Sequence, residues 1–179
     1  MKKLFTTIIV LAVMALVGNA FGDDIVYQGD VTPSQAADMV FYDGAFILDV
    51  RTPQEWNWVG HPGVNANEEG GHLDGQVLNV SYEVYHEGYS KGDVLIVNPQ
   101  FVKDVKRLLG KDVLIITMCR SGGRSVSAAN VLHYAGFTNV YNMLTGFEGE
   151  KDAYGYRTVN GWKVDGLPYN YSGIGDYKD

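Results

Sequence analysis

The chain has 179 residues, with 14 Lys and Arg against 21 Asp and Glu, and a formal net charge of -7. An acidic chain with no basic cluster is a poor fit to nucleic acid or to an anionic membrane surface. Its single cysteine excludes an internal disulfide, so the fold must be held by packing alone. The four histidines, His61, His72, His86 and His133, show no ligand spacing and give no reason to expect a metal or other cofactor.

In chain order, Lys2 and Lys3 precede an apolar run from Leu4 to Val17, and Gly18 and Ala20 sit where a signal peptidase reads small residues. Residues 1–20 therefore read as a signal peptide, with a second cleavage position after Gly22. The alternative is an uncleaved anchor, but the run is shorter than the ~20 residues that span a bilayer. No stable membrane insertion is expected after cleavage, and the expected location is periplasmic or secreted. Cleavage would remove two lysines and no acids, taking the charge from -7 to -9. Residues 23–170 then read as one domain, and 171–179 as a flexible tail.

"VTPSQAADMVFYDG" predicts a helix, with Thr32 as N-cap, Pro33 at the first turn, Gln35 closing a capping box and Gly44 as the stop. Ala45–Val50 has the length and apolarity of a strand. "TPQEW" starts another helical turn, and a Gly- and Asn-rich loop follows it through residue 75. Gln76–Tyr82 predicts a strand. "NPQFVKDVKRLLG" predicts a helix capped by Asn98, begun by Pro99 and ended at Gly110. Asp112–Met118 is almost wholly apolar, as in a strand covered on both faces. A helix after residue 121 stops at Gly136, and Asn139–Met143 predicts a last strand. A short helix is expected near Gly161–Val164. Alternating strands and helices predict an α/β domain around a mostly parallel sheet.

Cys119 follows the most buried predicted strand, at the strand end where open α/β sheets bind ligands. Gly122 and Gly123 let the backbone curl so that its N–H groups point inward, and a helix opens directly after them. That arrangement binds anions. With Arg120 and Arg124 nearby, it favours thiolate over thiol and draws an anion to the sulfur. A buried, inert cysteine is the plain alternative.

"CRSGGRS" (119–125) resembles the active-site loop of single-domain rhodanese-like sulfurtransferases. "ILDVRTPQEW" (47–56), "GHLDGQVLNV" (71–80), "GFTNVYNMLTGFEG" (136–149) and "GWKVDGLP" (161–168) are similar to further segments of that family. The resemblance implies a three-layer rhodanese-like fold and a two-step transfer through a persulfide on Cys119. The donor would be a small anion such as thiosulfate, or a persulfide or polysulfide; the acceptor would be cyanide or a thiol. Arg120 and Arg124 would hold donor oxygens, the amides from Arg120 to Arg124 (Ser121, Gly122 and Gly123 among them) would hold the persulfide, and Ser121 and Ser125 would add loop hydrogen bonds. Asp49 and Arg51 would brace the loop. The related cysteine phosphatases and arsenate reductases use a loop one residue longer than the six residues from Cys119 to Arg124, and form a weaker reading. A persulfide carrier or sulfur-sensing protein with a periplasmic redox partner is the alternative from another class.

Two stretches depart from the family pattern, the one around the Gly-His pairs and Tyr85–Gln100, which is longer than a minimal domain needs. Gly-His occurs at 60–61 and again at 71–72, with extra residues between. Trp56, Trp58 and His61 could form an aromatic wall at the site mouth or simply pack in a surface loop. The tyrosines at 154, 156, 169, 171 and 177 could likewise serve a partner or a packed tail.

Overall fold

The computed structural model describes residues 25–63, 73, 75–86 and 94–171. The expected signal peptide, residues 64–70 of the insertion, the Gly71–His72 pair and residues 172–179 of the tail, Tyr177 among them, lie outside the described residues.

Two helices begin with the same local device. In α1 (Pro33–Asp43) the Thr32 hydroxyl accepts from Gln35 N–H, while the Gln35 side chain accepts from Thr32 N–H. In α2 (Pro53–Val59) Thr52 and Glu55 repeat the exchange. Each box satisfies two N–H groups that a helix start otherwise leaves unpaired. The second box was not part of the sequence reading, and α2 runs through Val59, where a loop was expected.

The centre is a five-stranded sheet made of β1 (Gly29–Val31), β2 (Phe46–Asp49), β4 (Val77–Asn79), β7 (Ile115–Met118) and β8 (Val140–Met143). The order is β1-β8-β7-β2-β4, and every neighbouring pair is parallel. Two small antiparallel pairs lie outside it: β3 (His61–Pro62) with β9 (Tyr169–Asn170), and β5 (Glu83–Tyr85) with β6 (Leu95–Val97).

Strand side chains alternate between faces, and each face has its own apolar cluster. Leu48 and Ile115 pack with Phe101 and Val105 of α3 (Phe101–Leu108) and with Ala128, Ala129 and Leu132 of α4 (Gly123–Tyr134). Ile47, Ile116 and Met118 point the other way, toward Ala36 and Val40 of α1 and toward Phe147 and Trp162. Burying each such aliphatic side chain contributes about 1.5–3 kcal/mol, so both faces contribute to stability. The result is the expected helix–sheet–helix layering.

Three local expectations are corrected. The helix expected at Pro99 starts at Phe101; Asn98 does not cap it but accepts from Gln100 N–H in a turn and donates to the Ser81 carbonyl. The helix expected at Gly161–Val164 is a single turn, because Gly161 has φ +104° and packs directly on Gly149, and Trp162 N–H bonds to the Gly146 carbonyl. The three-residue β1 was not anticipated.

Candidate active site

All five sheet strands run parallel, so their carboxyl ends share one edge. β2 and β7 are neighbours near the middle of that edge. The chain leaving β7 enters α4 on one face, whereas Val59 of α2, following β2, packs on the other. Departure to opposite faces opens a crevice between two strand ends. Cys119 and Asp49 stand at that point: Asp49 is paired with Met118 in register, and Val50 N–H bonds to the Met118 carbonyl.

Cys119 is buried, 1% exposed, and its sulfur accepts from Gly122 N–H at 3.2 Å. Gly122 adopts φ +100°, a conformation that suits glycine and aims this amide back at the sulfur. Ser125 Oγ lies 3.4 Å from the sulfur and 2.9 Å from the Gly122 carbonyl. A hydroxyl has one proton, and the shorter distance favours giving it to the carbonyl. A Cys119 S–H can then donate to Ser125 Oγ. Ser121 and Gly123 are exposed on the loop's outer side.

The segment after β8 fixes the loop's curvature. The Cys119 carbonyl accepts from Phe147 N–H, and the Arg120 carbonyl accepts from Glu148 and Gly149 N–H. Because a trans peptide points its C=O and N–H in opposite directions, these bonds turn the Arg120 and Ser121 amides away from residues 147–149. Gly146 is required here: its φ is +58°, and a Cβ would stand 2.4 Å from the Cys119 carbonyl oxygen.

The loop arginines do not stand free. Arg124 forms a two-pronged pair with Glu55, Nη1 to Oε2 at 2.8 Å and Nη2 to Oε1 at 2.6 Å, and its Nε lies 3.9 Å from Glu83. Burial opposes the Arg124 charge, but the hydrogen bonds and charge of Glu55, then Cys119 and Glu83, hold its pKa above the ordinary value. Burial pushes the Glu55 pKa up, and the bonds and charge of Arg124 outweigh it, leaving Glu55 below the usual carboxylate range. Arg120 is about half exposed, and its Nε is 3.0 Å from Glu148 Oε1. That contact is close enough for an ion pair, although the N–H is not directed at the oxygen.

Asp49 and Arg51 are both fully buried. Arg51 Nη2 and Nε donate to Asp49 at 2.5 and 2.9 Å, Nη2 also reaches the Gly60 carbonyl, and the guanidinium lies 4.4 Å over the Phe147 ring. The pair thus ties β2, the end of α2 and the segment that grips the loop. Neither side chain reaches solvent. Trp56 and His61 stack at 3.7 Å, both buried, while Trp58 stands 81% exposed and apart from them. Among the described residues, no group of three or more His, Cys, Asp or Glu is placed to hold a metal ion.

Residues 32–153 match the Rhodanese-like domain family. This chain belongs to that family. An uncharacterized protein of Rickettsia conorii is 32% identical to it over 145 residues, covering 79% of this chain and 97% of that one. Thiosulfate sulfurtransferase 16, chloroplastic, of Arabidopsis thaliana is 33% identical over 141 residues, covering 76% and 92%. The crystal structure of Rv0390 from M. tuberculosis aligns with a TM-score of 0.65 at 35% identity, covering 82% of this chain and 99% of that one. The three-layer architecture is therefore the rhodanese fold, and the chain is a sulfurtransferase-family protein.

The site residues missed by the sequence reading are Glu55, Glu83 and Glu148. Of these, only Glu55 carried a local signal, the Thr52-x-x-Glu55 capping box. Glu83 and Glu148 come from β5 and from the segment after β8, and chain topology alone brings them to the loop.

Proposed function

We propose that Cys119 is the nucleophile of a rhodanese-type sulfurtransferase and carries sulfane sulfur as a persulfide. The observation that carries this reading is the Cys119 sulfur at the end of β7, receiving the Gly122 N–H inside a six-residue loop that opens α4. Backbone N–H groups at a helix start stabilise negative charge on sulfur without a proton. The thiolate attacks the outer sulfur of a donor such as thiosulfate, a hydropersulfide or a polysulfide. The new S–S bond forms as the old one breaks, and sulfite, a thiol or a polysulfide shorter by one sulfur leaves. A thiol or cyanide then removes the sulfur, so that one transfer becomes two easier ones. Ser125 supports the loop beside the sulfur. The Asp49–Arg51 pair braces it from within. The basic and apolar character of residues 1–20 supports export as the setting.

The test is the intact mass of the purified protein after treatment with thiosulfate or polysulfide. A gain of one sulfur is expected, lost on adding cyanide and absent in Cys119→Ala. No adduct with either donor overturns the proposal.

A further inference from the structure

We propose that this site takes its sulfur from an uncharged or cationic hydropersulfide in preference to a dianion such as thiosulfate, with Glu55, Glu83 and Glu148 setting that choice. The inference rests on the persulfide reading of Cys119 and narrows its donor.

The sequence shows two arginines beside the nucleophile and no acid within the loop. The fold reverses that balance. Arg124 has spent both terminal nitrogens on Glu55, and its Nε faces Glu83 at 3.9 Å. Arg120 faces Glu148 at 3.0 Å. Among the charged groups paired with the loop arginines, three carboxylates meet two guanidinium charges, an excess of one negative charge before any charge on the sulfur is counted. Lys163 and Arg157 bond the Val59 and Gly149 carbonyls instead. The other pair at this strand end, Asp49–Arg51, adds one charge of each sign and leaves that balance unchanged.

An incoming sulfonate that engages Arg124 would have to displace a carboxylate that is tethered in place. Glu55 cannot swing aside cheaply. Its Oε2 also accepts the Thr52 N–H, and its own N–H bonds the Thr52 hydroxyl, so releasing Arg124 also uncaps α2. The positive features that remain for the substrate are the terminal nitrogens of half-exposed Arg120, the Gly122 amide and the start of α4, the last equivalent to about half a charge. They suit the single negative charge of a bound persulfide. They do not compensate for two further charges arriving on a donor.

The chemistry with a hydropersulfide balances without another reactant. The Cys119 thiolate attacks the terminal sulfur of R–S–SH. The Sγ–S bond forms and the donor's S–S bond breaks. The electron pair leaves on the R–S sulfur, which takes the terminal proton. The products are the Cys119 persulfide anion and R–SH, and there is no net oxidation.

Two hydropersulfides that differ in the charge of the R group separate electrostatics from intrinsic reactivity: that of cysteamine, with an ammonium, and that of 3-mercaptopropionate, with a carboxylate. Loading of Cys119 is followed by quenched-flow intact mass at low and high salt. The cationic donor is expected to load about tenfold faster at low ionic strength, with the ratio closing as salt screens the site. Thiosulfate loading should speed up with salt. Glu83→Gln and Glu148→Gln should each narrow the ratio and accelerate thiosulfate. Equal or faster loading by the anionic donor, or thiosulfate loading slowed by salt, overturns the donor preference while leaving the persulfide reading intact. No loading by any donor overturns both.

Discussion

Asp49–Arg51 and Glu55–Arg124 are the same chemical pair, a carboxylate gripping a guanidinium through two nitrogens, and both sit at the carboxyl edge of the sheet. They differ in access to water. The first is 0% exposed on both sides; the second is 18% and 23% exposed. Burial makes Asp49–Arg51 a strut. Its charges are committed to each other, to the Gly60 carbonyl and to the Phe147 ring. Partial exposure leaves Glu55–Arg124 within reach of what enters the site. Residue type at a strand end therefore does not assign a role; the water left around it does.

Breaking the strut should have the larger effect. Arg51→Met leaves the Asp49 carboxylate buried without a counter-ion, and such losses cost about 3–5 kcal/mol. In a chain of this size that lowers Tm by roughly 10 °C, measurable by circular dichroism. The double variant Asp49→Asn/Arg51→Met removes the stranded charge and should recover at least half of the loss. A double variant no more stable than the single one would show that shape, and not charge pairing, holds this region.

Glu55→Gln tests the open pair. Glutamine can still close the capping box with Thr52, so the clamp on Arg124 is removed while the helix start is kept. A hydrogen-bonded charge contributes about 1.5–3 kcal/mol, and partial exposure puts the expected loss near the lower end, measured by urea denaturation. The same variant frees the Arg124 fork and should raise the rate of persulfide formation from thiosulfate. A stability loss as large as that of Arg51→Met would erase the distinction between strut and clamp.

Much of the fold was legible because its signals are local. The Thr32–Gln35 box, the apolar run ending at Met118 and the stop at Gly136 each depend on a few adjacent residues. β1 was not legible: "GDV" has no pattern of its own and becomes a strand only by pairing with β8. Asn98 and Pro99 look like a helix start, yet the Asn98 side chain is used to bond Ser81 and Gln100. The site divides the same way. Cys119, the glycines and the arginines are contiguous and can be read as a unit. The glutamates that cancel the arginines come from three distant segments, and contiguous sequence gives charge without its neighbours.

The Glu55 clamp also has a pH signature. Its carboxylate is held below the ordinary value of 4.5, chiefly by Arg124 working against burial. A depressed folded pKa adds stability that is fully present above the unfolded value and disappears as pH falls through the folded one. Arg124, held above its ordinary value, keeps its charge throughout. The stability gap between the parent chain and Glu55→Gln should therefore be level from pH 8 to about pH 5 and shrink below about 4.5 as Glu55 protonates. A gap that grew on acidification would reverse the sign and remove the ion pair as its cause.

A third pair completes the series and sets its lower end. Arg107 and Asp104 meet at 3.2 Å one turn apart on α3, with Arg107 53% exposed and Asp104 23%. Its distance is not far from that of the clamp, but its contribution should be. An exposed i,i+3 pair holds two long side chains in a strong dielectric, and such pairs contribute about 0.2–0.5 kcal/mol. Asp104 also lies in the first turn, where a negative charge meets the helix N-terminus favourably. The expected change for Asp104→Asn is therefore a loss of less than about 1 kcal/mol, reduced further in high salt. The useful comparison is Arg107→Gln, which removes the pair and keeps the charge at the helix start. If Arg107→Gln is nearly silent while Asp104→Asn is not, the helix dipole, and not the ion pair, is what the exposed carboxylate serves.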